Sequence, residues 1–457
     1  MYNCYYGMYL KGDIMSDHTQ LSGQAYIAIG LMLFALFFGA GNLIFPATLG
    51  QHAGTNVWWA ILGFIVTGVG LPLLGVMAMG YSGSRNVQSL ASRVHPVFGV
   101  LFTLALYLSI GPAFAIPRTG TVSYEIAVKP FLGGAASDTA QTLFLIAFFV
   151  LTLWLSINPQ KLVNRIGKIL TPALLLTIVV LIVKSLITPL GSYGTPTEAY
   201  ATSGTAFLQG FLDGYNTLDA LASFVFGILV IEFVTLSGAQ TRDEITRATL
   251  KAGLIAVGCL GIVYIFIASL GATSVEQLGI LDTGAPVLAE SARLLFGDLG
   301  AMILAVIVLL ACLTTSIGLV TSCAQYFSTQ FGGLSYKAYA VLFVLISIGV
   351  GMFGLKTIIT AAIPVLMFLY PLSIALIVLA FLHPLFNGRQ CVYAWTVGAT
   401  FITALVSGLE TAQVDLGSVG QFFATQVPMH SIGMDWLLFG GVGLVIGLIH
   451  RALVKEN

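Results

Sequence analysis

Charge is what this sequence has least of. Its 457 residues include only 18 Lys and Arg and 18 Asp and Glu, or 8%, against about 25% in an ordinary soluble domain. A water-soluble chain of this length needs a charged skin, and 36 charges cannot cover one, so a soluble enzyme is excluded. The formal net charge is zero, and no Lys/Arg cluster exceeds three in ten residues, which excludes a nucleic-acid surface. The five cysteines, Cys4, Cys259, Cys312, Cys323 and Cys391, are scattered without a C-x-x-C pair. They offer neither a disulfide framework nor a thiolate metal site. Among the six histidines, His95, His383 and His450 lie near the ends of apolar runs, and no two have metal-ligand spacing. A Gly-rich phosphate loop is absent, and no Ser/His/Asp grouping falls at matched membrane depth. No enzyme activity, cofactor or ATP site is therefore expected.

What is present is apolar sequence, 58% of the chain. A bilayer core needs about 20 mostly apolar residues per helix, and that ruler gives about twelve spans: 22–48, 56–80, 97–119, 140–157, 169–188, 216–236, 248–272, 298–324, 338–354, 357–381, 393–409 and 433–450. Short polar connectors such as Tyr81–Arg85, Asn158–Lys161 and Thr241–Glu244 join them, leaving no room for a separate soluble domain. The first run, Leu21 to Leu49, is long enough to span and is followed by others, so a cleavable leader is not expected. Met15 offers a second translation start, and residues 1 to 14 carry no weight here.

Orientation follows from where Lys and Arg fall, because cytoplasmic loops retain them. Counting alternate connectors, one side holds Lys11, Arg85, Arg93, Lys161, Arg165, Lys168, Arg242, Arg247, Lys251, Lys337, Arg389, Arg451 and Lys455, which is 13 of the 18. The other holds Arg118, Lys129, Lys184, Arg293 and Lys356. Both termini are therefore expected in the cytoplasm, in agreement with an even span count.

Two spans share a local pattern. Phe37-Phe38-Gly39-Ala40-Gly41-Asn42 in the first and Phe224-Val225-Phe226-Gly227 in the sixth align at an offset of 188. An odd five-span unit repeated once must enter the membrane from opposite sides, which makes the repeat inverted. Most of the 51 glycines suit helix packing, but Gly39 and Gly41 flank an alanine at mid-membrane ahead of Asn42 and Pro46. Such a run can unwind, and unwound backbone at that depth is tolerated only where it lines a cavity. The N-terminus of the second half-helix then points N–H groups and a positive dipole end into that cavity, which suits a carboxylate.

The eighth span carries Ala311-Cys312-Leu313-Thr314-Thr315-Ser316. Its hydroxyls either bond back to carbonyls four residues earlier or supply neutral hard oxygens for a small cation, with broken-helix carbonyls completing the set.

Taken together, Phe37 to Pro46, Gly111-Pro112-Ala113-Phe114-Ala115-Ile116-Pro117-Arg118 and Leu313 to Leu319 resemble the bacterial branched-chain amino acid:cation symporter family, over about Ser22 to Leu453. The resemblance implies sodium-coupled uptake of leucine, isoleucine and valine in the cytoplasmic (inner) membrane. It also implies an all-α polytopic membrane protein with the five-plus-five inverted-repeat fold of the bacterial leucine transporter. On that fold residues 1–21 form a cytoplasmic tail, 22–190 the first five-helix repeat and 191–384 the second. Residues 385–457 hold two extra C-terminal helices and a tail.

Carried over residue by residue, the superfamily's sodium site maps onto Ala35, Phe38, Ala311, Thr314 and Thr315, and Asn42 becomes a second cation ligand or a substrate contact. The leucine transporter has an extra residue and an arginine gate before the proline. Asn42 to Pro46 has neither, which leaves a first sodium site and that outer gate without a counterpart. The substrate carboxylate is expected on the N–H groups of Ala40, Gly41 and Asn42, and its ammonium on carbonyls near Phe37 and Ser223 to Phe226. The aliphatic side chain is expected against Phe224, Phe226, Tyr107 and Ile110, in a pocket with apolar walls and few polar groups. Tyr107 either donates its hydroxyl to the carboxylate or simply packs.

Intramembrane acids are functional by default. Glu232 reads as the deepest acid and is expected to pair with a basic residue near the cytoplasmic surface, with inner gating or proton carriage as the alternative. Lys168 reads as a positive-inside anchor rather than an amine standing in for sodium. The expected function is sodium symport by alternating access. The rival readings are a proton-coupled or exchange carrier for another small amino acid or nucleobase, and a passive channel. Oligomeric state is open.

Overall fold

The computed structural model describes residues 23–84, 86–157 and 171–453. The N-terminal tail, Lys168 and the last four residues lie outside the described residues, and with them the roles expected there.

Every expected span meets a helix. The first is α1 (Gly23–Phe37) and α2 (Ala40–Ala53), the second α3 (Val57–Ile65) and α4 (Leu71–Ser82), the third α5 (Pro96–Leu108) and α6 (Ala115–Ala127). Spans four and five are α7 (Asp138–Ser156) and α8 (Thr171–Ile187). The sixth is again two pieces, α9 (Ser203–Asp213) and α10 (Asp219–Leu236). Then come α11 (Arg242–Leu278), the amphipathic α12 (Gly284–Phe296), α13 (Asp298–Phe331), α14 (Tyr336–Gly351) and α15 (Leu355–Leu382). The two C-terminal additions are α16 (Gln390–Thr411) and α17 (Asp435–Leu453). Among the described residues no strand occurs, and nine helical stretches are long and apolar enough to cross a membrane. The architecture is a five-plus-five inverted repeat with two helices added. One apolar core runs from Ile29 to Trp436 and takes residues from all twelve spans.

Both discontinuous spans break for stated reasons. After α1 the chain turns extended at Gly39 (φ −124°, ψ −156°), which caps α2. Pro46 inside α2 has no N–H to return to the Asn42 carbonyl one turn earlier, so the helix is weak there. The second break does not fall at the Gly227 pattern. Residues 214–217 tighten into a 3₁₀ turn, and Leu218 takes a left-handed conformation (φ 66°) before α10 begins. The second half-helices are thus capped at Gly39 and Leu218, and the offset between them is 179 rather than 188.

The third span also departs from expectation. A π turn at Ser109–Ala113, distorted at Gly111 and bearing Pro112, joins α5 to α6. Helix then continues to Ala127 rather than ending near 119. Arg118 is therefore a buried residue of the bundle, 3% exposed, and not a connector charge. Its neighbours Thr119, Thr121 and Ser123 are buried too. Their hydroxyls lowered the hydropathy enough to end the expected span early.

Backbones touch where glycines allow it. A Cβ on Gly63 of α3 would meet the Phe207 carbonyl oxygen at 2.0 Å, and one on Gly210 of α9 would meet that of Ala60 at 1.9 Å. Neither obstacle is a flexible side chain. Gly63→Ala and Gly210→Ala should each cost ~1–3 kcal/mol or more through overpacking. Gly258→Ala, with nothing within 4 Å of the new methyl, should be neutral or slightly stabilising. Thermal unfolding of the purified protein in one detergent orders the three.

Outside the spans, His430 joins the start of α17 to the end of α16. Its Nδ1 lies 2.7 Å from an Asp435 oxygen and its Nε2 2.8 Å from a Glu410 oxygen. Partial burial opposes the imidazolium, but the two carboxylates outweigh it and raise the pKa above the ordinary 6.5. A raised pKa means that the stabilisation is complete below pH 6.5 and is lost as pH climbs through the folded value. The unfolding temperature of the wild type should accordingly fall between pH 6 and 9 relative to that of His430→Gln. Parallel curves would remove the clamp.

Candidate functional site

The two breaks meet α13 and the kinked third span around a narrow pocket of about 20 Å³, room for about one water. Its apolar wall includes Phe37, Ile110, Phe226 and Leu319, and its polar end includes Gly41, Asn42, Arg118, Thr217 and Asp219. The Phe37 and Phe226 rings meet edge to face with centroids 5.5 Å apart. Ala40 and Thr315 also line it.

Asn42 joins the two breaks. Its Oδ1 accepts from the Gly39 N–H at 3.0 Å, which closes the cap of α2. Its Nδ2 donates across the site to Asp219 and to the Tyr264 hydroxyl. Tyr264 in turn donates to the same Asp219 oxygen at 3.0 Å. Asp219 is 3% exposed, and its position in the first turn of α10 adds the positive end of that helix. Glu232, by contrast, is exposed on α10, so the deepest acid expectation fails. The hydropathy ruler placed Asp219 at a span end, whereas the break puts it mid-bundle.

Arg118 supplies the opposite charge. It donates from Nη1 to the Asn216 carbonyl at 2.7 Å and from Nη2 to that of Thr217 at 3.3 Å. Its guanidinium lies 5.2 Å from the Phe45 ring centroid, a cation–π distance. Nε is buried without a partner.

Beside the pocket, α13 meets the last turn of α1. Thr314 Oγ1 donates to the Ala35 carbonyl at 3.0 Å and to that of Ala311 at 2.9 Å. Thr315 Oγ1 donates to the Leu36 carbonyl at 3.0 Å. Phe38 follows in the break, and all of these residues are buried. The structure thus assembles Ala35, Ala311, Thr314 and Thr315, with Phe38 adjacent.

Three expected substrate contacts lie elsewhere. Ser223 donates to the Ala220 carbonyl at 2.6 Å and faces Gly75, and Phe224 is buried away from the lining. Both sit inside continuous α10, where carbonyls are engaged in the helix and are not free for an ammonium. Tyr107 stacks on Tyr326 (centroids 4.1 Å, 7°) at the wall of a second cavity of about 190 Å³. That cavity also takes Asn86, Leu229 and Ser322. It lies about one turn beyond the first on three elements, past Ile110, Phe226 and Leu319.

Two broken spans meeting at a buried polar pocket, with a second cavity about one turn away, are the arrangement of a membrane carrier. Comparison with known proteins gives the family. The family described as branched-chain amino acid transport protein matches residues 22–454. The chain is 48% identical over 423 residues to the branched-chain amino acid permease BraB of Bacillus subtilis (93% of this chain, 94% of that one). It is 38% identical over 441 residues to the branched-chain amino acid transport system 2 carrier protein of Pseudomonas aeruginosa (96% and 98%). Among solved structures, MhsT with L-phenylalanine superposes with TM-score 0.57 at 17% identity (95% and 100%). The nucleobase-cation-symport-1 transporter Mhp1 also gives 0.57, at 16% identity (94% and 94%). These likenesses establish the leucine-transporter-like fold. The chain belongs to the branched-chain amino acid transport protein family.

Proposed function

We propose that this protein is a sodium-coupled symporter that imports leucine, isoleucine and valine across the bacterial cytoplasmic membrane, with both termini in the cytoplasm. The permease and carrier relatives support the substrate class, as does the apolar wall of Phe37, Ile110, Phe226 and Leu319. Discrimination among the three amino acids is expected to be weak, since one methylene is worth about 1–3 kcal/mol.

The observation that carries the coupling is the meeting of Thr314 and Thr315 with the carbonyls that end α1. Sodium would be held there by the carbonyls of Ala35, Phe38 and Ala311 and the hydroxyls of Thr314 and Thr315. The hydroxyls would turn their lone pairs inward and give up the hydrogen bonds that they now donate. The ion then ties α1 to α13 next to Gly39, whose Cα is so close that an added Cβ would lie 2.7 Å from Thr315 Oγ1. Sodium occupancy and the shape of the α2 N-terminus, where the substrate carboxylate would sit, are thereby linked. On the cytoplasmic side lies the second cavity, with the Tyr107–Tyr326 stack in its wall, and it serves as the exit. One sodium moving inward at about 100 mV contributes roughly 2.3 kcal/mol before its concentration gradient is added. Asp219 is the group that a proton-coupled carrier would titrate, so the test carries a proton arm.

Radiolabelled leucine uptake into proteoliposomes should be driven by an inward sodium gradient and blocked by isoleucine and valine. Thr314→Ala and Thr315→Ala should each lower sodium-driven accumulation at least about tenfold, the loss of roughly 1.4 kcal/mol of ion binding. Accumulation on a proton gradient alone, or variants that keep their sodium dependence, would overturn the ion assignment. Equilibration without accumulation would mean a channel.

A further inference from the structure

The pocket has opposite charges at defined places. Arg118 and the start of α2 converge on Gly41: a Cβ built there would lie 2.7 Å from Arg118 Nη2. The free N–H groups of the α2 first turn and a guanidinium therefore make one corner positive, and the buried, unpartnered Nε of Arg118 lies in the same group. The other charge on the lining is Asp219, whose Oδ2 is held by Asn42 and Tyr264. Among the described residues no ion pair joins Asp219 to Arg118 directly; the guanidinium gives one N–H of each Nη to the carbonyls of Asn216 and Thr217, which leaves the second N–H of each for a ligand. The two charges are held apart at one end of an otherwise apolar pocket. A neutral molecule gains nothing there, and a ligand with a single charge leaves one of the two without a counterpart.

We propose that Asp219 receives the α-ammonium of the substrate, while Arg118 and the N–H groups of Ala40 and Gly41 receive its α-carboxylate, so that the site reads the zwitterion. This rests on the amino acid reading above and relocates the ammonium contact from the helix carbonyls of α10 to a side chain. Asp219 is the specificity-determining residue. Arg118 is also a positioning residue, because its two carbonyl bonds hold the break from which α10 starts. A pocket built this way rejects an analogue lacking one head group by about 10⁴-fold, because a buried charge is then left unpaired.

The test uses the full-length protein in nanodiscs at saturating sodium. Radiolabelled leucine and radiolabelled 4-methylpentanoate, which is leucine without its ammonium, are titrated separately. In the wild type leucine should bind about 10⁴-fold tighter. In Asp219→Asn that ratio should shrink to about 10²-fold or less, chiefly through weaker leucine binding, while Asp219→Glu, which keeps the charge, should hold it within about tenfold of the wild type. A sodium-dependent thermal shift shows that the variants fold. Should the Asn variant not fold, the wild type itself decides by mass spectrometry of an apolar carbodiimide adduct. Leucine should protect Asp219 from the reagent, and sodium alone should not. An unchanged ratio in Asp219→Asn, or protection by sodium alone, overturns the proposal, the latter by giving the carboxylate to the coupling ion. A wild-type protein that ignores leucine overturns the branched-chain reading itself, and this inference with it.

Discussion

The hydrogen bond from Asn42 to Asp219 is the contact on which the rest of the site depends. It runs between two half-helices from opposite repeats, and neither end could be there in a continuous helix. A carboxylate and an amide buried this deep must find partners, because each unsatisfied polar group costs roughly 1–3 kcal/mol or more. The partners exist only if α2 starts at Gly39 and α10 starts after Leu218. Tyr264 closes the triangle from α11, so the seventh span is registered against both breaks by the same three side chains. Packing agrees with this: α11 lies against α2 with the Ala268 carbonyl 2.0 Å from where a Gly50 Cβ would sit.

Arg118 shows how a charge can be placed in a membrane without a formal salt bridge. The guanidinium takes up carbonyls that the break at 214–217 would otherwise leave without donors, and it lies over the Phe45 ring. The polar backbone of the break and the buried cation thus satisfy each other, which is the condition for irregular chain at this depth.

How much of this could be read from the sequence depends on how each feature is encoded. The first break was visible because glycines, Asn42 and Pro46 mark it with residues whose backbone chemistry is unusual. The threonine pair on α13 was visible through its spacing from Ala311. The second break was not, because Leu218 takes a positive φ without glycine or proline, and only tertiary packing holds it there. The Gly227 pattern drew the expected register nine residues too far along, and with it Ser223 and Phe224 into a site that they do not reach. Arg118 and Asp219 were missed for a related reason. A hydropathy ruler ends a span where polar residues gather, and in this fold they gather at the pocket as well as at the surface.

The two sides of the pocket are closed by different means. Toward the second cavity the pocket ends at Ile110, Phe226 and Leu319, and about one helical turn further on a pair of stacked rings, Tyr107 and Tyr326, stands in the wall of that cavity. At the polar end the closure includes a guanidinium bonded to two main-chain carbonyls, which cannot leave without uncovering them. A change of side-chain rotamer is local, whereas parting the guanidinium from two buried carbonyls leaves each carbonyl unsatisfied, at roughly 1–3 kcal/mol apiece. On the alternating-access reading proposed above, opening on the Arg118 side costs hydrogen bonds to main chain, whereas the wall toward the second cavity is made of side chains.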